Sequence, residues 1–300
     1  MHLLVRMQQV VPKKDTATRM IAKDAKERSN RPPKAPTSNA VGALNFSQSM
    51  RIYDSHIHVG QFYDIYTTPA ELYEYLDSVG VKRFAASSTT ICIGNYFHVL
   101  EEISALVDLC GSRFLPVLWI IPQMLEDGGL KMFLESDIQW RCLKIHPQLH
   151  PKAWINGSRK MKYVAQLAKD MRLPLLIHTG EMPGCNPLLF EKTITCYSDV
   201  TFILAHGRPI IETIKLMKQY PNVWTDTAFM PIENISLLCK ENLSDRVLWG
   251  TDYPIPKYHF PDTDMKTYYL DLVNQLKSTI DKVDFEMIMH GNFERIFCSE

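Results

Sequence analysis

The 300-residue chain has no C-x-x-C pair, and its seven cysteines (Cys92, Cys110, Cys142, Cys185, Cys196, Cys239, Cys298) are an odd set. That excludes a cysteine-rich zinc module and argues against a disulfide framework, so a reducing cytoplasm is the expected setting. No apolar run approaches the ~20 residues needed to span a bilayer, and the N-terminus lacks the apolar core of a signal peptide. Net charge is absent too, since 33 Lys/Arg balance 33 Asp/Glu. Nothing global then attracts nucleic acid or a membrane surface, and recognition falls to a local site for a small molecule, with homo-oligomerisation left open. What is present is ordinary for a soluble globular chain, 46% hydrophobic and 22% charged, with length for one large domain or two small ones.

Charge is unevenly placed. Residues 1–50 hold nine Lys/Arg against three acids, a net +6, which leaves −6 on the remainder. The stretch from Ser29 to Ser38, with Pro32, Pro33 and Pro36, cannot supply an apolar face and reads as a linker. This basic segment is expected to be a disordered or loosely attached extension. Nucleic-acid binding or targeting are alternative uses, and Met50, immediately before the first regular segment, is an alternative start.

From Met50 onward short apolar runs alternate with amphipathic stretches. Eight strands are predicted, over 51–56, 84–88, 114–121, 141–146, 173–178, 200–206, 222–226 and 246–252. Helices are predicted between them, the clearest beginning at Thr68-Pro-Ala-Glu71, a capping box with Pro in the first turn, and stopping at Gly80. Others cover 95–111, 158–171, 209–220, 231–242 and 264–280, with a terminal helix over 284–297. Strand ends about 20 to 35 residues apart over about 250 residues are the arithmetic of a (β/α)8 TIM barrel spanning 51–300, with an open doubly wound sheet as the alternative.

Polar residues recur at the C-terminal ends of the apolar strands, the end at which barrels carry their catalytic groups. His56 and His58 close the first strand, Lys144 and His146 the fourth, His178 the fifth, His206 the sixth, Asp226 the seventh and Asp252 the eighth. With a side-chain period of two, His56 and His58 share a face while Ile57 points into the barrel–helix layer. Two convergent imidazoles suit a divalent ion such as zinc. His178 and Asp252 each end an apolar run, where an unpaired imidazole or carboxylate is costly. A closed barrel sets the eighth strand beside the first, and so Asp252 beside the paired histidines. Taken together, His56, His58, His178 and Asp252 are the expected ligands of one divalent ion.

These motifs carry a resemblance. Tyr53-Asp-Ser-His-Ile-His58, Leu143-Lys-Ile-His-Pro147, Leu176-Ile-His-Thr-Gly180, Ile203-Leu-Ala-His-Gly207 and Trp249-Gly-Thr-Asp-Tyr-Pro254 are similar to successive strand-end motifs of the amidohydrolase superfamily. The similarity is to the branch that includes aminocarboxymuconate-semialdehyde decarboxylase, hydratases and lactonases. It covers residues 51 to about 297 and implies the same four ligands, with His206 orienting or deprotonating the water and Asp252 exchanging its proton. In other members a carboxylated fourth-strand lysine bridges two metals. Lys144 with His178 and His206 fits such a site, but its place one step deeper than His146 favours a core lysine and a single ion.

The substrate pocket is less defined. Arg208 is a candidate clamp for a carboxylate or a partner of Glu212. His146 is a candidate substrate contact, and Tyr63, Tyr66, Trp154 and Tyr258 are candidate walls. His98, His150, His259 and His290 are expected to be surface or structural. The expected activity is metal-dependent hydrolysis of an amide, lactone or related carbonyl compound. Non-oxidative decarboxylation of a carboxylated cyclic or unsaturated substrate is the first alternative, and a catalytically silent metal-binding scaffold the second. Because residues 1–49 lack the composition to order themselves, their deletion is expected to leave the melting temperature and metal content unchanged. A fall of several degrees in a thermal scan would show instead that they pack on the barrel.

Overall fold

The computed structural model describes residues 50–150, 154 and 158–298, so the basic segment 1–49 lies outside the described residues. All eight expected strands form, mostly with trimmed ends: β1 Tyr53–Phe62, β3 Arg83–Ser88, β4 Phe114–Trp119, β5 Cys142–Ile145, β6 Leu175–His178, β7 Phe202–Ala205, β8 Val223–Asp226 and β9 Val247–Leu248. Each is parallel to the next in that order. A short strand the sequence reading missed, β2 Ile65–Thr67, turns back antiparallel on the extended end of β1. Its two-residue turn carries Tyr63 at φ 52, a conformation announced by no Gly or Asn.

The sheet closes on itself, which decides for the barrel over the open sheet. Closure runs through backbone bonds from Ser55 N–H to the Trp249 carbonyl (2.8 Å), Asp252 N–H to His56 (2.8 Å) and His58 N–H to Tyr253 (2.7 Å). One parallel bridge, Ile57 to Tyr253, marks the seam. The eighth strand is shorter than expected because residues 249–253 pair irregularly with β1. Gly250 permits the approach: a Cβ there would stand 3.0 Å from that of His56.

Alternation divides the core into two layers. Leu143, Ile145, Leu175, Ile177, Phe202 and Leu204 face outward against the helices, with Ile57 and Val59. Leu115, Val117, Cys142, Leu176, Ile203 and Trp224 face inward, with Tyr53. A register shift in β1 between Asp54 and Ile57 is needed for this, because Tyr53 and His56 are three residues apart yet both face inward.

The helices alternate with the strands. Pro69–Ser78 begins with the expected capping box, Glu71 N–H donating to Thr68 Oγ1 and Thr68 N–H to Glu71 Oε2. Asn95, Ser158 and Asp264 cap Tyr96–Cys110, Arg159–Met171 and Met265–Thr279 as their residue types suggest. Short helices at Met124–Asp127, Gly129–Leu134, Glu191–Cys196 and Ile255–His259 were not foreseen. The single terminal helix expected over 284–297 is interrupted by a π-turn, Met287–Gly291, before Asn292–Phe297. The interruption serves the barrel: the Ile288 carbonyl accepts from Trp249 N–H, and Asn292 Nδ2 donates to the carbonyls of Ser244 and Val247. No helix among the described residues is long and apolar enough to cross a membrane.

Phe293 and Phe297 plug the inner layer against Tyr53, with ring centroids 5.3 Å apart for Phe293 and Tyr53. Phe293 is 1% exposed. Phe293→Ala is therefore expected to destabilise the fold by about 3–5 kcal/mol in denaturant titrations. A loss comparable to a surface substitution would show that the plug collapses freely.

Candidate metal centre

Strand ends and the turns after them deliver the polar side chains to one place. His56 and His58 project from β1 and are buried. His56 Nδ1–H donates to Asp226 Oδ2 at 2.9 Å. His58 Nδ1–H faces the Ser87 carbonyl at 3.3 Å, with the Ser87 hydroxyl at 3.0 Å. With both Nδ1 atoms so engaged, each ring presents a bare Nε2, the tautomer that a metal-binding histidine requires.

The Nε2 atoms of His56 and His58 lie 3.3 and 3.0 Å from Asp252 Oδ1. Three acceptors at this separation have no proton to share and repel one another unless a cation joins them. Bonds of 2.0–2.1 Å around tetrahedral zinc place neighbouring ligand atoms about 3.4 Å apart, so the donor set fits such an ion in chemistry and spacing. Lys144 meets the same need, its Nζ 2.8 Å from His56 Nε2 and 3.0 Å from His58 Nε2, over the Trp119 ring. This corrects the expectation of a deeper core lysine: the residue starts one step below His146, but its four-carbon stem carries the amine up to the ligand atoms.

Electrostatics follow from burial and these neighbours. Burial and the Lys144 charge push the His58 imidazole down to about 3. Burial pulls the Lys144 amine down to about 8, although Asp252 and Asp226 oppose it. His146, His178 and His206 are all pushed well below the ordinary histidine value, burial being the largest cause.

The remaining histidines form a second tier. His206 Nδ1–H donates to the Ala228 carbonyl (3.0 Å), leaving its Nε2 to accept from His178 Nδ1–H (2.9 Å). His178 stacks on His146 at 3.8 Å, so the structure sets it beside His206 and His146, outside the trio of His56, His58 and Asp252. His146 Nδ1 accepts the backbone N–H groups of Gln148 and Leu149, so its proton sits on Nε2. His206 and Asp252 have φ of 69° and 59°, conformations that cost non-glycine residues of order 1–3 kcal/mol each. Their backbone N–H groups are held by Asp226 Oδ1 and the His56 carbonyl.

Arg208 is half-buried, and its positive charge depresses His178, His206 and His259. Among the described residues its buried Nε has no hydrogen-bond partner, and no pairing with Glu212 is made. Tyr63 and Tyr258 stack on each other, 5.2 Å apart, while Tyr66 bonds His98 and Trp154 meets His150 edge-on. His259, exposed as expected, lies 5.5 Å from Phe229, which is 6.3 Å from His206.

Sequence reading noted Asp226 without giving it a role, and missed Asp54, Ser87 and Thr251. Asp226 joins the two tiers, Oδ2 taking His56 and Oδ1 taking the N–H groups of His206 and Ala228. Asp226→Asn can keep the backbone bonds through its amide oxygen, but its NH2 then faces His56 Nδ1 and drives that proton to Nε2. Metal affinity is expected to fall about 10–100-fold with little change in melting temperature. Unchanged affinity in a chelator competition would remove Asp226 from the site.

Comparison with curated proteins gave no significant sequence match. Solved structures share the fold. An uncharacterised TIM-barrel protein from Bordetella bronchiseptica is 17% identical, with 83% of this chain and 99% of that chain covered at a TM-score of 0.64. A 5-carboxyvanillate decarboxylase from Novosphingobium aromaticivorans, complexed with manganese and a nitrobenzoic acid, is 10% identical, with 84% and 97% covered at 0.63. An amidohydrolase from Burkholderia multivorans with bound zinc is 11% identical, with 84% and 100% covered at 0.58. The sequence profile of the Amidohydrolase family matches residues 53–297. The chain therefore belongs to the amidohydrolase family.

Proposed function

We propose that the chain is a metal-dependent hydrolase that uses one divalent ion, zinc in the first instance, on an amide, lactone or related carbonyl compound. The observation that carries this reading is the convergence of His56 Nε2, His58 Nε2 and Asp252 Oδ1, three acceptors that require a cation. His178, set outside this trio beside His206 and His146, is the fourth ligand that the family resemblance implies. The ion supplies Lewis acidity and brings the pKa of water from about 16 toward 7.

The chain's own groups supply the remainder. Asp252 accepts a proton at its carboxylate and returns it to the leaving group. His206 Nε2 is the candidate base beside the carboxylate, and it takes up a proton once it gives up its bond to His178 Nδ1–H. His146 Nε2–H is a donor suited to the substrate's oxygen. Arg208 offers its guanidinium to a substrate carboxylate, and the absence of a protein partner for its buried Nε supports that role. The same feature favours a second reading, non-oxidative decarboxylation, in which the clamped carboxylate is the group lost.

Metal analysis of the purified chain, followed by a screen of lactones, N-acyl compounds and carboxylated aromatics, tests the reading. About one ion per chain and turnover of a lactone or amide are expected. A chain with no ion would overturn it, and carbon dioxide release would select the decarboxylase. His178→Ala is expected to lose ion and activity together. His206→Ala is expected to keep the ion and lose about 100-fold to 10,000-fold in turnover, the span of one acid–base group. Loss of the ion from both variants alike would move His206 into the ligand set, as its proximity to His56 and Asp226 allows.

A further inference from the structure

We infer that Asp54 is a positioning residue, which fixes the separation between the paired imidazoles and Asp252 by latching Thr251 across the seam of the barrel. The inference rests on the metal reading above. The three ligand atoms come from opposite sides of that seam, His56 and His58 from β1 and Asp252 from the segment after β9. This is also where the wall is least regular, with one parallel bridge in place of a ladder. A slip along the seam would move the carboxylate relative to both rings.

Asp54 spans the gap with one carboxylate. Its Oδ1 accepts from His56 N–H (3.1 Å) and from Thr251 N–H (3.2 Å). Its Oδ2 accepts from the Thr251 hydroxyl at 2.7 Å. The latch thus holds the backbone of one imidazole ligand and of the residue preceding the carboxylate ligand. Thr251 Oγ1 in turn receives Tyr253 N–H at 3.4 Å, so the residues flanking Asp252 on both sides are tied to the same group. Asp252 itself sits at φ 59, a conformation that needs such external support.

Asp54 is buried, makes no ion pair among the described residues, and makes no hydrogen bond to Asp252 or to the Nε2 atoms. A carboxyl group buried without a cation is costly unless its oxygens are hydrogen-bonded, and it persists where several partners meet it. Here the donors belong to the two sides that carry the ligands.

Affinity for Zn2+, measured on the full chain by chelator competition, and the melting temperature of the metal-free chain test this inference. Thr251→Val keeps the shape and removes only the hydroxyl, and is expected to weaken zinc binding about 10–100-fold. Thr251→Ser restores the hydroxyl and is expected to bind as the wild type does. Asp54→Ala is expected to bind at least as weakly as Thr251→Val, and the double variant no more weakly than Asp54→Ala. Wild-type affinity in Thr251→Val, whatever its melting temperature, would overturn the latch alone. A wild-type chain that takes up no zinc would overturn both the latch and the metal reading.

Discussion

Three lone pairs aimed at one point are the constraint on which this molecule turns. His56 Nε2 and His58 Nε2 are brought to 3.3 and 3.0 Å from Asp252 Oδ1, an arrangement that is repulsive until a positive charge enters it. Neighbouring groups reinforce the demand: Asp226 and Ser87 take up the Nδ1 positions and so expose the Nε2 atoms. The barrel supplies the compulsion, since parallel strands fix where each side chain leaves the wall and the inner hydrophobic layer beneath leaves no room to retreat. The Lys144 amine answers the demand within the chain.

Much of this was legible in the amino-acid order because a barrel repeats one rule. Apolar strands must be buried, so a histidine or aspartate at the end of one stands out, and His56, His58, His206 and Asp252 were found that way. Alternation also assigned Ile57 correctly to the outer layer. The rule fails where the period breaks. By parity, Asp54 belongs in one column with His56 and His58, yet the register shift in β1 removes it from that face. It lies instead near Tyr75 and Tyr269, residues of the helices outside the wall.

Other misreadings have physical causes of the same kind. The depth of Lys144 was judged from its backbone position, which ignores the reach of a long flexible side chain. Apolar residues suggest a regular last strand, but Trp249 donates to the π-turn, Asp252 donates to His56, and Trp249 and Tyr253 accept from Ser55 and His58. His178 ends its strand as expected, and the orientation of its ring depends on His206 and His146, partners no spacing rule could name.

The seam has a bearing on how the molecule comes into being. Asp54 and Thr251 are separated by 197 positions, and the bonds between them are among the most distant in the chain. Contacts of such separation form late, because nearly the whole polypeptide must be threaded into place before they gain anything. Trp249 further depends on the Ile288 carbonyl, which emerges later still during synthesis. His56 and His58 thus meet Asp252 only when the C-terminal segment docks.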